Sequence, residues 1–299
     1  MLDICLLGTG GMMPLPKRFL TSLYVKYQGH AVLIDCGEGT QTAIRCAEVS
    51  MKDIDVICIT HFHADHVAGL PGLLLTIGNS GRTEPVLVAG PEGLEEVLCS
   101  LCIIAPELPF DVYVQTEDTP ILLGDLSIKS FPTEHRIPCR GYVFELPRAG
   151  KFSVESAESL GIPKNLWSKL QHGETVTFDG RTVTPGQVLG PPRKGLKVLY
   201  ATDTRPVPAI SKYGQKADLM ILEGIYPEEE KLGKAIERGH MLYREAAEMA
   251  LQSQAKELWL THFSPAIPNP QEQIDVAKSI FPQVTAGKDG MKKTLYFSE

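Results

Sequence analysis

Three histidines and an aspartate fall within six residues at His61-Phe62-His63-Ala64-Asp65-His66, directly behind the apolar run Ile57-Cys58-Ile59. Imidazole nitrogens and carboxylate oxygens are the preferred donors for borderline divalent metals such as Zn²⁺. His61 and His63 are two apart, so on an extended segment they point the same way. Asp65 and His66 sit at the turn that follows. The cluster can therefore offer ligands to two neighbouring metals. The bland alternative is a polar loop whose histidines only cap and hydrogen-bond. It accounts poorly for so dense a pattern behind a buried strand.

Three further strand-like runs end in the same residue types. Leu126-Ser127-Ile128 leads into Phe131-Pro132-Thr133-Glu134-His135. Leu199-Tyr200-Ala201-Thr202 leads into Asp203, and Leu258-Trp259-Leu260-Thr261 into His262. Sites in layered α/β proteins collect at such strand ends, where loops leave the sheet. Each residue alone could be a loop residue that caps or hydrogen-bonds. Beside the cluster, they read as ligands.

With these residues in place, the chain resembles the metallo-β-lactamase superfamily, and within it the ribonuclease Z family. The resemblance starts at Leu6-Leu7-Gly8-Thr9-Gly10-Gly11. It continues through Asp35-Cys36-Gly37-Glu38-Gly39-Thr40-Gln41 and the extension His66-Val67-Ala68-Gly69-Leu70-Pro71-Gly72. Leu189-Gly190-Pro191-Pro192-Arg193-Lys194-Gly195 and Asp203-Thr204-Arg205-Pro206 carry it into the second half. It implies an αββα sandwich of the metallo-β-lactamase type, an α/β fold with a protruding arm. It also implies two Zn²⁺ per chain, with Mn²⁺ or Mg²⁺ as substitutes. His61, His63 and His135 would hold one metal. Asp65, His66 and His262 would hold the other, and Asp203 would bridge them. Two such metals activate a shared water and clamp a phosphodiester along its line of attack. The resemblance assigns Asp65, Glu223 and His240 to catalysis, the last two relaying a proton to the leaving oxygen. Here the neighbours differ from the family's His-Glu-Ala-Thr and His-Ser-Thr: the chain reads Leu222-Glu223-Gly224-Ile225 and His240-Met241-Leu242.

These side chains need a scaffold, and strands alternate with helices along the chain. Strands are expected at Leu2–Leu7, Ser22–Tyr27, Ala31–Ile34, Val56–Ile59, Pro85–Ala89, Val112–Gln115, Ile121–Leu123, Leu126–Phe131 and Tyr142–Leu146. Lys197–Ala201, Leu219–Leu222, Glu257–Leu260 and Thr294–Phe297 complete the set. Helices are expected at Glu38–Val49, Val67–Ile77, Pro91 to Ile103, Tyr243–Gln254 and Gln271–Ile280. The whole chain, 1–299, reads as one domain. Residues 148–195 stand apart: polar, rich in Gly, Pro and Lys, and without a core pattern. Such a stretch is either disordered or a functional excursion. By resemblance it is the inserted arm that grips tRNA, with Lys164, Lys169, Arg181, Arg193 and Lys194 as candidate RNA contacts.

Composition sets limits. The 299 residues suffice for a large α/β domain with a full core. A formal net charge of −7 means that RNA binding must come from local basic patches. Seven scattered cysteines do not suggest a disulfide framework, and Cys5, Cys36 and Cys58 read as small core residues. No signal peptide or membrane span is expected, so the chain reads as cytoplasmic. The resemblance adds a homodimer and a precursor tRNA substrate. Three functions follow. The first is endonuclease cleavage of a tRNA 3′ trailer. The second is hydrolysis of a small phosphodiester such as a cyclic nucleotide. The third is metal binding without catalysis.

Overall fold

The computed structural model describes residues 1–105 and 107–298. The chain divides into two compact units: Met1–Glu145 with Lys197–Tyr296, and Leu146–Leu196 with the residues from Phe297 onward.

The larger unit is built on two seven-stranded sheets. In the first half the strands are β1 (Leu2–Gly8), β2 (Ser22–Tyr27), β3 (His30–Ile34), β4 (Ile54–Cys58), β5 (Val86–Ala89) and β6 (Val112–Gln115). There follow β7 (Ile121–Leu123), β8 (Leu126–Thr133) and β9 (Cys139–Arg148). A small hairpin, β10 (Val176–Phe178) and β11 (Arg181–Val183), lies in the second unit. The rest are β12 (Arg193–Ala201), β13 (Leu219–Glu223), β14 (Leu258–Thr261), β15 (Val284–Ala286) and β16 (Met291–Leu295). One sheet runs β16-β1-β2-β3-β4-β5-β6 and the other β15-β14-β13-β12-β9-β8-β7. Strands β3 to β6 of one sheet and β12 to β15 of the other are parallel neighbours, each returned through a crossover.

Central strands here are buried on both faces, and therefore read as unbroken apolar runs rather than alternating ones. In β3, Ala31 and Leu33 join a cluster with helices α1 (Thr40–Cys46), α3 (Leu70–Asn79) and α4 (Leu94–Leu101). Val32 and Ile34, on the opposite face, are also fully buried. In the second sheet, Leu199, Met220, Leu222 and Leu258 join α7 (Pro208–Tyr213), α9 (Tyr243–Gln252) and α10 (Asp275–Ile280). Helices thus cover one face of each sheet, the αββα arrangement. Among the described residues, no helix is long and apolar enough to cross a membrane. Cys5, Cys36 and Cys58 are buried in the core.

Several expected elements end elsewhere, for local reasons. The single helix expected at Val67–Ile77 is two, α2 (Ala64–Val67) and α3. The break falls at Gly69, whose amide donates to Cys36 O and where a Cβ would lie 2.1 Å from the Gly37 carbonyl oxygen. The helix expected from Pro91 starts at Leu94, because Gly93 takes φ 90°, outside the helical region. Gln271–Ile280 splits into a 3₁₀ turn, Pro270–Gln273, and α10. The last strand lies at Met291–Leu295, earlier than Thr294–Phe297.

The smaller unit is ordered, with an apolar core of its own: Ala157, Ile162, Leu170, Val176, Val183 and Val188. It contains α5 (Val154–Ser159), capped by the Ser153 hydroxyl, α6 (Trp167–Gln171) and the β10–β11 hairpin. The indole of Trp167 donates to Ile162 O at 2.9 Å. These apolar residues come singly along the chain, so no periodic run announces the core.

Candidate metal centre

Every expected ligand leaves the C-terminal end of a strand or the loop just after it. His61 and His63 follow β4, and His63 is the N-cap of α2. Asp65 and His66 belong to that short helix. His135 follows β8, Asp203 follows β12 and His262 follows β14. Asp35, Asp203 and His262 all sit at positive φ, 60°, 53° and 56°. Non-glycine residues rarely adopt that conformation, and it turns each chain sharply as it leaves its sheet.

The structure brings the seven side chains together. One ligand atom each from His61, His63, His135 and Asp203 lie within 4.8 Å of one another, as do those of Asp65, His66 and His262. His61 Nε2 and His135 Nε2 stand 2.9 and 3.2 Å from His63 Nδ1. Asp203 divides its two oxygens between the groups. Oδ2 is 3.7 Å from His61 Nε2, while Oδ1 is 3.0 Å from His262 Nε2 and 3.4 Å from His66 Nε2. Asp65 Oδ2 is 3.6 Å from both His66 Nε2 and His262 Nε2, and accepts from the Met12 amide at 2.8 Å.

These atoms suit a divalent cation. Buried polar atoms are nearly always paired. Yet His66 Nε2, Asp203 Oδ1 and both ring nitrogens of His262 have no hydrogen-bond partner among the described residues. Of these, His66 Nε2, Asp203 Oδ1 and His262 Nε2 converge where a cation would satisfy them. Burial, then the nearby His66, holds His61 well below the usual histidine range. Burial also lowers His63 and His135. Neutral imidazole is the ligating form. For Asp203 the imidazoles of His262, His66 and His61 outweigh burial, and the carboxylate stays ionised.

A second layer orients the first. Asp35 is fully buried. It accepts from Thr60 N at 2.8 Å and lies 2.8 Å from His66 Nδ1, which turns His66 Nε2 toward the cluster. Beside the seven, Glu223 is also fully buried. Its Oε1 accepts from the Thr204 amide, and its Oε2 is 3.0 Å from His240 Nδ1. Burial opposes protonation of His240, but the Glu223 carboxylate outweighs it and raises the imidazole to about 9. A ligand atom of His240 lies within 4.8 Å of those of Asp203 and His262. Lys164, Lys169, Arg181, Arg193 and Lys194 are exposed in the smaller unit, with Arg193 Nε donating to Ala149 O.

Residue types alone did not assign roles to Asp35, Thr60, Arg205 or Glu245. Asp35 stood within a recognised segment, but nothing in its spacing pairs it with His66. Arg205 and Glu245 are ordinary surface residue types, and only the fold buries them together.

Comparison with known proteins agrees with this architecture. A family model described as anti-Pycsar protein Apyc1 matches residues 2–102, and one described as a beta-lactamase superfamily domain matches residues 143–263. A protein named ribonuclease Z from Lachnoclostridium phytofermentans is 51% identical over 302 residues, covering 100% of this chain and 99% of its own. One of the same name from Clostridium acetobutylicum is 45% identical, covering 99% of each. Among solved structures, the short form of human tRNase Z superposes with a TM-score of 0.70 at 26% identity, covering 99% of this chain and 100% of that one. Strand-end ligands, paired sheets and full-length identity coincide, and the chain belongs to the ribonuclease Z family.

Proposed function

We propose that this chain is a metal-dependent endoribonuclease that removes the 3′ trailer of precursor tRNA. The observation that carries the reading is the division of Asp203. One oxygen faces His61 and the other faces His66 and His262, within reach of the Glu223–His240 pair. The relatives named ribonuclease Z and the neighbour named tRNase Z bring RNA, and tRNA, as the substrate class.

In this reading His61, His63, His135 and Asp203 would hold one Zn²⁺, and Asp65, His66 and His262, with Asp203, would hold a second. When bound, the metals supply Lewis-acid stabilisation of charge on the phosphate and a lowered pKa for the attacking water. The chain's own groups do the rest. Asp65 takes the proton of the attacking water, while the Met12 amide fixes its carboxylate. His240, held by Glu223, gives a proton to the leaving ribose oxygen. Glu223 is itself fixed by the Thr204 amide, so the imidazole keeps one orientation. Residues 148–195 form an arm whose Lys164, Lys169, Arg181, Arg193 and Lys194 hold the tRNA body by its phosphates.

Two further readings accompany this one. The protein works in the reducing cytoplasm, which suits its free cysteines. It also works as a homodimer, for which the exposed Ile103 and Ile104, 75% and 76% accessible, offer apolar surface. The decisive test of function incubates the zinc-loaded protein with a 3′-extended tRNA, a cyclic nucleotide and bis(p-nitrophenyl) phosphate. A single cut that frees the trailer is expected. Turnover of the small esters with the RNA left intact would overturn it.

A further inference from the structure

Two guanidinium groups at the mouth of the metal cleft belong to no ion pair among the described residues. The cleft has a volume of about 270 Å³, and beside the metal-centre side chains it is lined by Arg136 and Arg238. Elsewhere in the same unit, Arg82, Arg140, Arg205 and Arg244 each lie against a carboxylate. Arg136 is exposed and Arg238 half-buried.

Both stand on one rim. Arg136 follows the ligand His135 directly. Arg238 closes α8 (Leu232–Arg238), two residues before His240. The two backbones adjoin at Gly239, whose carbonyl lies 3.0 Å from His135 Nδ1. Gly239 has φ 74°, and a Cβ there would fall 2.8 Å from His135 Nδ1 and 3.5 Å from Arg136 N. The rim is thus closely packed, and it is the one that carries the Glu223–His240 pair.

Fold stability does not explain these charges. Two unpaired cations beside a centre built to hold divalent metal repel its charge rather than offset it. They become favourable when a polyanion enters. A guanidinium is also the side chain best shaped to hold phosphate through two parallel donors.

We propose that Arg136 and Arg238 form a phosphate subsite on the leaving-group rim, holding the backbone phosphates that flank the scissile bond. The inference rests on the RNA-cleaving function proposed above and adds a reason for it. The subsite rewards a polynucleotide and gives nothing to a diester with a single phosphate. In a chain of net charge −7, it supplies positive potential at the reaction centre itself.

The test compares wild type with Arg136→Ala, Arg238→Ala and the double variant, each zinc-loaded. Steady-state kinetics are read across a salt series on a 3′-extended tRNA and on bis(p-nitrophenyl) phosphate. Each single change should raise KM for the RNA about tenfold, the loss of one charge-assisted contact. Each should also flatten the plot of log KM against log salt by about one unit. Turnover of the small diester should stay within about twofold. Arg→Lys at either position should keep the salt slope while recovering only part of the affinity. Unchanged KM and slope on RNA in the double variant would overturn the subsite alone. So would equal losses on RNA and small diester, which would mark the arginines as supports of the metal centre. A wild type that leaves the tRNA uncut while hydrolysing the diester would overturn the underlying function, and the subsite with it.

Discussion

Arg205 lays its guanidinium fork-to-fork on the carboxylate of Glu245, and its Nη1 also donates to the main-chain carbonyl of His240. Arg205 lies two residues after Asp203, and Glu245 sits in the first turn of α9, where it also accepts from the Leu242 amide at 2.9 Å. One buried ion pair therefore ties the loop bearing Asp203 to the loop bearing His240. Breaking it should be costly, because the surviving charge is left buried. We expect Arg205→Met to destabilise the protein by about 3–5 kcal/mol. Adding Glu245→Gln, which removes the stranded charge, should restore part of that. Urea unfolding of both variants checks this, and a single variant as stable as wild type would show the pair to be idle.

Asp35 touches no expected metal position, yet it fixes the ring of His66. Asp35→Asn should lower metal affinity about 10–100-fold, the usual cost of losing such a partner. Competition with a chromophoric chelator measures it directly. Wild-type affinity in the variant would remove Asp35 from the account of the site.

Asp65→Ala removes a ligand and the acceptor for the water proton. Hydrolysis should fall at least ~10²-fold on RNA and on small diesters alike. Metal analysis of the same sample is the companion measurement, and one ion lost per chain is the expected result. Retained activity with full metal content would contradict both roles.

Glu223→Ala should slow the reaction most where the leaving oxygen is a poor one. The ribose alkoxide needs a proton, whereas p-nitrophenolate leaves nearly unaided. His240→Ala should show the same selectivity, since the two side chains act together at 3.0 Å. If Glu223→Ala left turnover on both RNA and a small ester unchanged, the relay assignment would be wrong.

Deleting residues 150–193 should raise KM for precursor tRNA and flatten its salt dependence, while hydrolysis of a small phosphodiester stays nearly constant. The ends of the deletion lie close in space. A Cβ on Gly150 would come 1.9 Å from the carbonyl oxygen of Gly190, so the shortened chain has little gap to span. Equal losses on both substrates would make this unit a structural one.

Much of this was legible in the sequence, and unevenly so. Central strands such as Ser22–Tyr27 and Leu219–Leu222 stand within a residue of where apolar runs placed them, because burial on both faces leaves a strong apolar signal. The metal cluster was legible because ligand residues recur at strand ends. Helix boundaries were not, since glycines such as Gly69 and Gly93 act through contacts or dihedrals that the chain does not advertise. The core of 148–195 escaped because its apolar residues come singly. Arg205, Glu245, Arg136 and Arg238 escaped for a different reason: whether an arginine is paired is a property of the fold.

The order in which the ligands occur along the chain has a consequence for synthesis. His61, His63, Asp65 and His66 emerge early, His135 and Asp203 later, and His262 last, just after β14, which lies between β13 and β15. A ribosome-bound chain that has not released β14 lacks His262 and leaves the Asp65–His66 group one side chain short. The group of Asp65, His66 and His262 is therefore completed only once β14 has taken its place between β13 and β15.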